Sequence, residues 1–247
     1  MPKVEWDYTS LASHYDKRAD YAGEAIDRML DLARPDKARP IADIGAGTGK
    51  LTKLLLARGY SVHAVEPNDA MREIGVINTN GLPVTWSVGT GEETGLQSGA
   101  FDLVTFGSSF NVTDRARALA EVARLLHPRG WFACMWNHRN LDDPLQAECE
   151  RLIGDSIPGY DYGTRREDQT AVIRASGFYE DPVTIEGRIA NEISRDDFVT
   201  AWKSHATLQR QAGRRFDEIV GKLERLVANR EKVVVPYTTR IWVARRK

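Results

Sequence analysis

The chain has 247 residues, 42% hydrophobic and 28% charged, which is enough apolar material to bury a full core. Its 34 basic and 35 acidic residues leave a net charge of −1, so charge gives no reason to expect a nucleic-acid or anionic-membrane partner. No apolar run approaches the ~18 residues of a membrane span. The opening stretch Met1 to Asp7 lacks a signal-peptide core, and the two cysteines, Cys134 and Cys149, form no disulfide or metal pattern. A cytoplasmic protein without a bound metal, monomeric or homodimeric, is expected.

In chain order, Ile26, Met29, Leu30 and Ala33 recur at helical spacing from Ala22, and Arg34-Pro35 ends that helix. Pro40 to Ile44 reads as a short buried strand followed by a glycine turn, Gly45 to Gly49. A helix then carries Leu51, Leu54 and Leu55 on one face and closes at Gly59. Tyr60 to Glu66 is a second strand, stopped by Pro67, and Asn68 or Asp69 caps a helix to about Asn80. Pro83 to Val88 and Phe101 to Phe106 are further strands. Thr113 is the expected cap of a helix with Leu119, Val122, Ala123 and Leu126 on its apolar face. His127 to Gly130 turns into a fifth strand, Trp131 to Trp136.

Beyond it, Pro144 to Ser176 reads as mostly helical and Pro182 to Ile189 as a sixth strand. Ser194 to Trp202 and Thr207 to Asn229 read as helices. Val233 to Ala244 is a last strand, in which Pro236 marks an edge or the start of pairing. Repeated strand–helix units imply a parallel sheet covered on both faces.

The glycine turn separates three ligand classes. A phosphate loop needs Gly-Lys followed by Ser or Thr, but Gly49-Lys50 precedes Leu51. A dinucleotide fingerprint needs a third glycine where Lys50 stands. What remains is an acidic residue, an apolar one, then alternating glycines: Asp43-Ile44-Gly45-Ala46-Gly47-Thr48-Gly49.

With this motif the sequence resembles the class I S-adenosylmethionine methyltransferases, most closely the small-molecule branch grouped as methyltransferase domain 11 and trans-aconitate-type enzymes. Further matches are Glu66 within Val65 to Met71, Gly89 to Glu93, Phe101 to Phe106, Leu125 to Gly130, and upstream Tyr15 to Arg18 with Tyr21. The likeness covers roughly residues 8 to 140 and is architectural beyond. It implies an α/β, doubly wound, mostly parallel seven-stranded sheet with an antiparallel last strand and a helical lid insertion. One domain over 1–247 is expected: an N-terminal helical cap (1–35), a cofactor-binding core (36–140) and substrate-side helices, lid and last strands (141–247).

The implied cofactor is S-adenosylmethionine, and the implied contacts are Tyr15, Arg18, Asp43, Gly45, Ala46, Gly47, Glu66, Pro67, Met71, Thr90, Gly91, Glu92 and Phe106. The glycines let backbone pass beneath the amino-acid and ribose portions. Glu66, 21 residues after Gly45, accepts from the ribose hydroxyls. Thr90, Gly91 and Glu92 lie beside the adenine, Thr90 standing where relatives often have Asp. Asp43 either orients the amino end or holds the turn. Tyr15 and Arg18 either cover the site or pack on a helix.

Methyl transfer needs alignment and exclusion of water more than it needs a base. Small-molecule relatives often carry Phe-His after strand four, where this chain has Phe110-Asn111. Asparagine orients an acceptor but takes no proton. The remaining candidate catalytic residues are Asn111 itself and the histidines His14, His138 and His205, each also readable as a packing or surface histidine. Trp202, Tyr160 and Tyr162 are candidate lining residues of the lid, and Arg139 or Arg165 would recognise an anionic acceptor.

The expected activity is transfer to an oxygen or nitrogen of a small organic metabolite by in-line displacement. Two other readings stand beside it: a cofactor-binding protein without methyl transfer, and a methyltransferase for a macromolecule. Gly107-Ser108-Ser109-Phe110 lacks the Pro-Pro motif of amino-methylating DNA enzymes and speaks against the latter.

Overall fold

The computed structural model describes residues 19–161 and 167–247. The first helix, α1 (Gly23–Ala33), buries Ala25, Ile26, Met29, Leu30 and Ala33, the face its spacing predicts. It ends at Arg34, whose φ of 45° turns the chain into the left-handed region just before Pro35. There follow β1 (Ile41–Ile44), α2 (Lys50–Leu56), β2 (Val62–Val65), α3 (Asp69–Asn78), β3 (Val84–Ser87) and β4 (Phe101–Gly107). After a single 3₁₀ turn come α4 (Arg115–Leu125), β5 (Leu126–Arg139), α5 (Pro144–Ser156) and α6 (Thr170–Ala175). The chain closes with β6 (Val183–Ser194), α7 (Arg195–Lys203), α8 (Ala206–Ala212), α9 (Phe216–Leu226) and β7 (Lys232–Arg245).

The seven strands form one sheet in the order β3-β2-β1-β4-β5-β7-β6. Strands β1 to β5 run parallel, while β7 lies antiparallel between β5 and β6. Chain order reverses between β1 and β4, so the loops leaving those two strands flank a crevice at the carboxyl edge, where open α/β sheets take ligands. One apolar layer, with Phe106, Phe110, Phe132 and Leu119, lies on the α4 side. A second, with Ile26, Met29 and Leu55, lies under α1 and α2. A third, with Ile153, Phe198, Trp202, Leu208 and Ile219, joins α5 and α7 to α9 to the inner residues Val233 and Val235 of β7.

Several boundaries differ from the sequence expectation, each for a local reason. Asp114 rather than Thr113 caps α4: its carboxylate accepts from Arg117 N, while the Thr113 hydroxyl donates to Phe110 O. The expected turn at His127 to Gly130 lies within β5 as an irregularity: Phe101 pairs with Leu126 and Leu103 with Trp131, and Arg129 takes a φ of 68°. The helix expected from Thr207 to Asn229 is broken at Gly213, whose φ is 53°. Strand β6 runs five residues past Ile189, to Ser194, because β7 pairs with it throughout. Pro236 sits inside β7, not at a sheet edge, but at the start of its pairing with β5. Its carbonyl accepts from Asn140 N on the β5 side, so the missing N–H costs no bond to β6.

Candidate active site

The glycine turn is shaped by backbone conformations that side chains resist. Gly45, Gly47 and Gly49 all have positive φ, from 58° to 83°. The N–H groups of Gly45 and Ala46 both donate to Val65 O, fastening the turn to β2. Gly45 is also closed in from across the crevice: a Cβ there would stand 2.5 Å from Ser109 Cβ. The Ser109 hydroxyl donates to Ile44 O at 2.7 Å, so the exit of β4 is bonded to the exit of β1 at the point where strand order reverses.

Two carboxylates flank the turn and do different work. Glu66 stands just past β2. Its Oε2 accepts from Gly47 N at 2.8 Å and its Oε1 from Asn68 N at 2.9 Å. Each carboxylate oxygen has a further lone pair to offer. Burial pushes its pKa above the usual carboxylate range, against the pull of those two N–H bonds and of the Arg72 charge. Asp43 is fully enclosed in β1, accepting from Thr52 Oγ1 at 2.7 Å and Thr105 Oγ1 at 3.1 Å. Burial pushes it up to about 7, with the hydroxyl bonds opposing and the Glu66 charge adding to the rise. Asp43 thus pins the turn's base to α2 and β4.

Around them, Thr48 is 1% exposed and its Oγ1 has no hydrogen-bond partner. Met71 packs over Gly47, where a Cβ would lie 3.2 Å from its Cε. Asn68 caps α3 by accepting from Met71 N, and Pro67 before it is exposed. Helix α3 sits close because Gly75 leaves room for Trp86, whose ring a Cβ would meet at 2.2 Å.

The loop after β3 closes one end of the crevice. Thr90 is exposed and its hydroxyl accepts from Glu93 N. Gly91 is buried, packed so tightly that a Cβ would lie 2.5 Å from Thr113 Cγ2. Glu92 accepts from Asp114 N at 2.6 Å, tying the loop to the start of α4. Phe106 is fully enclosed, edge-on to Phe110 and Phe132, and supports this end from below.

Across the crevice, Ser108 adopts a φ of 59°, a strained conformation of the kind that clusters at functional sites. Its hydroxyl bonds the Tyr21 hydroxyl at 2.9 Å. Asn111 Oδ1 accepts from Trp136 Nε1 at 2.9 Å, which engages its carbonyl. His138 and Arg139 stand at the end of β5, opposite Thr238 and Tyr237. His205 lies in the helical cap. It is 5% exposed, its Nδ1 accepts from Leu208 N as the cap of α8, and its ring stacks on Trp202 at 5.5 Å. His14, Tyr15, Arg18, Tyr162 and Arg165 lie outside the described residues.

Residues 42–134 match the family model described as a methyltransferase domain. Over 235 residues the chain is 33% identical to an uncharacterized methyltransferase of Mycobacterium tuberculosis, covering 94% of this chain and 92% of that one. This chain is a member of the class I S-adenosylmethionine-dependent methyltransferases. The methyltransferase is also 29% identical over 136 residues to a ubiquinone/menaquinone biosynthesis C-methyltransferase of Rubrivivax gelatinosus, a match spanning 52% of this chain and 53% of the other. In fold it is similar to a candidate type II methyltransferase of Anaeromyxobacter dehalogenans (TM-score 0.59, 22% identity, covering 92% and 97%). It is likewise similar to geranyl diphosphate methyltransferase (TM-score 0.51, 17% identity, covering 91% and 78%).

Sequence reading passed over three groups that the methyltransferase brings to this crevice. Thr48 was hidden as the variable letter of the glycine motif. Ser109 was hidden because its contact spans 65 residues. Tyr21 was read only as part of the N-terminal likeness, and its bond to Ser108 carries no sequence signal.

Proposed function

We propose that this methyltransferase moves a methyl group from S-adenosylmethionine to an oxygen or nitrogen of a small organic metabolite, with the whole chain acting as one domain. The supporting observation is the crevice between the β1 and β4 exits. The residues present fit the cofactor: Glu66 keeps lone pairs directed beside the glycine turn, and Thr48 Oγ1 is a buried polar atom lacking a partner. Glu66 would hold the ribose hydroxyls, while Gly45, Ala46 and Gly47 would pass beneath the amino-acid portion. Pro67, Met71, Thr90, Gly91 and Glu92 would enclose the adenine end.

When bound, the cofactor supplies a methyl group made electrophilic by its sulfonium. The protein's part is then to orient the acceptor and keep water out. Asn111 would donate its amide N–H to the acceptor while Trp136 holds its carbonyl. Asparagine cannot take a proton, so the acceptor's own acidity supplies the nucleophile. In this reading Asp43 and Phe106 are positioning residues, because both are fully buried. His205 spends Nδ1 on its cap.

The test is isothermal calorimetry with S-adenosylhomocysteine beside NADH and ATP. Tight binding of the first ligand alone supports the reading. A folded protein that binds none of them, or prefers a nucleotide control, overturns it. The C-methyltransferase relative defines the second measurement, in which labelled methyl is traced to an oxygen, nitrogen or carbon of the product.

A further inference from the structure

The third apolar layer contains polar groups that its packing does not explain. Gln146, on the inward face of α5, is 1% exposed, and both Oε1 and Nε2 lack a hydrogen-bond partner. Trp202 is 1% exposed and its Nε1 is likewise unpartnered. Arg139, at the carboxyl end of β5, holds its guanidinium 3.6 Å from the Trp202 ring centre, with Nε enclosed and unpartnered. No carboxylate among the described residues forms an ion pair with Arg139. Its charge reaches Cys149, one turn beyond Gln146 on the same face of α5: burial pushes that thiol up to about 11, and Arg139 pulls the other way.

Native interiors leave few buried polar atoms unsatisfied, and those they leave call for a ligand or a water. An apolar side chain at position 146 would fill the same space at no such cost. The open groups also have a definite chemistry. Arg139 Nε, Trp202 Nε1 and Gln146 Nε2 are donors, one of them cationic, and Gln146 Oε1 is the single acceptor. An anion rich in acceptors that carries one hydroxyl donor has the chemistry that matches this set. Arg139 and Asn111 stand at the same edge of the sheet, past adjacent strands.

We propose that Arg139, Gln146 and Trp202 form the acceptor subsite, and that the methyl acceptor is a small hydroxycarboxylic acid whose carboxylate is held by Arg139, itself stacked on the Trp202 ring. This rests on the methyl-transfer reading above for its role, though not for the anion site itself.

The experiment titrates glycolate, lactate, mandelate and salicylate, each beside its neutral amide, into the full-length protein with and without saturating S-adenosylhomocysteine. At least one acid is expected to bind saturably, at least tenfold tighter than its amide. Arg139→Gln is expected to abolish that preference and Arg139→Lys to keep part of it. Gln146→Leu is expected to weaken acid binding about tenfold, with unchanged affinity for S-adenosylhomocysteine showing each variant to be folded. Acids and amides binding alike, no acid binding at all, or an Arg139→Gln protein that still prefers acids overturns the proposal. If S-adenosylhomocysteine fails to bind while the acids still do, the methyl-transfer reading falls and the anion site stands.

Discussion

The Glu66 carboxylate accepts the backbone N–H of Gly47 at 2.8 Å, so the end of β2 is bonded directly into the glycine turn that follows β1. One side chain therefore shapes the turn and offers lone pairs to a ligand lying in it. Glu66→Gln removes acceptor capacity without changing volume. The expected result is a loss of ~1–3 kcal/mol in S-adenosylhomocysteine affinity, the cost of a charged hydrogen bond, with a stability loss of similar size as Gly47 or Asn68 N goes unpaired. Calorimetry and urea denaturation check the two separately. A variant that loses stability but keeps full affinity would assign Glu66 to the fold alone.

Gly45 and Ser109 form a second coupled pair. Gly45→Ala places a Cβ at 2.5 Å from Ser109 Cβ, and at a φ of 65° it is strained even without that contact. The substitution is expected to cost ~2–4 kcal/mol, the sum of overpacking and left-handed strain. Adding Ser109→Gly removes the collision but also the bond to Ile44 O. A double-mutant cycle by chemical denaturation should thus show a coupling energy of about 1 kcal/mol or more. Strict additivity would mean that the two strand exits are not packed on each other.

The sheet and the glycine turn were legible because they rest on local rules. Short apolar runs, the Asn68 cap and a glycine turn after a buried strand each act over a few residues. The grouping of Arg139 with Trp202 was not legible in that way. Arg139 meets Trp202 only after β5 and α7 have packed, and no residue spacing encodes the meeting. Asp143 and Ser194 cap their helices as their residue types allow, yet those caps say nothing about which inward residue stays unsatisfied. His205, a candidate base by residue type, accepts from Leu208 N through Nδ1 at the start of α8, a role that its residue type alone does not signal. Gly213 broke a helix whose apolar periodicity continued through it, because a left-handed glycine stops a helix whatever the pattern beyond.

Asp43 gives the fold a pH dependence with a defined sign. Its carboxyl is raised to about 7 from an ordinary 3.8, chiefly by burial, so the folded state holds a proton that the unfolded chain releases. Stability from this group is complete below about pH 4 and falls as pH rises toward about 7, by at most ~1.4 kcal/mol per pH unit. Asp43→Asn, which keeps the volume and can still bond Thr52 and Thr105, should flatten that slope. Glu66, also raised by burial, would leave a smaller residue of the same sign. Urea midpoints measured from pH 4.5 to pH 7.5 (about three units) decide it, and equal slopes in both proteins would show that Asp43 is ionised throughout.

Asn111 and Trp136 separate orientation from support. The indole N–H of Trp136 donates to Asn111 Oδ1 at 2.9 Å, and Trp136 in turn packs edge-on to Trp242 at 5.8 Å. An aspartate at position 111 can still accept the indole N–H but has no amide donor to offer. Asn111→Asp is thus expected to cost less stability than Asn111→Ala, because the half-buried indole N–H keeps its acceptor. Turnover, measured with labelled methyl donor and the acceptor that screening returns, should fall about 10- to 100-fold, the weight of one positioned hydrogen bond in the transition state. Asn111→Ala should lose turnover and also destabilise by ~1–3 kcal/mol through the orphaned indole. S-adenosylhomocysteine affinity should hold in both variants. Full turnover in Asn111→Asp would leave Asn111 as a support for Trp136 and remove its amide from the reaction.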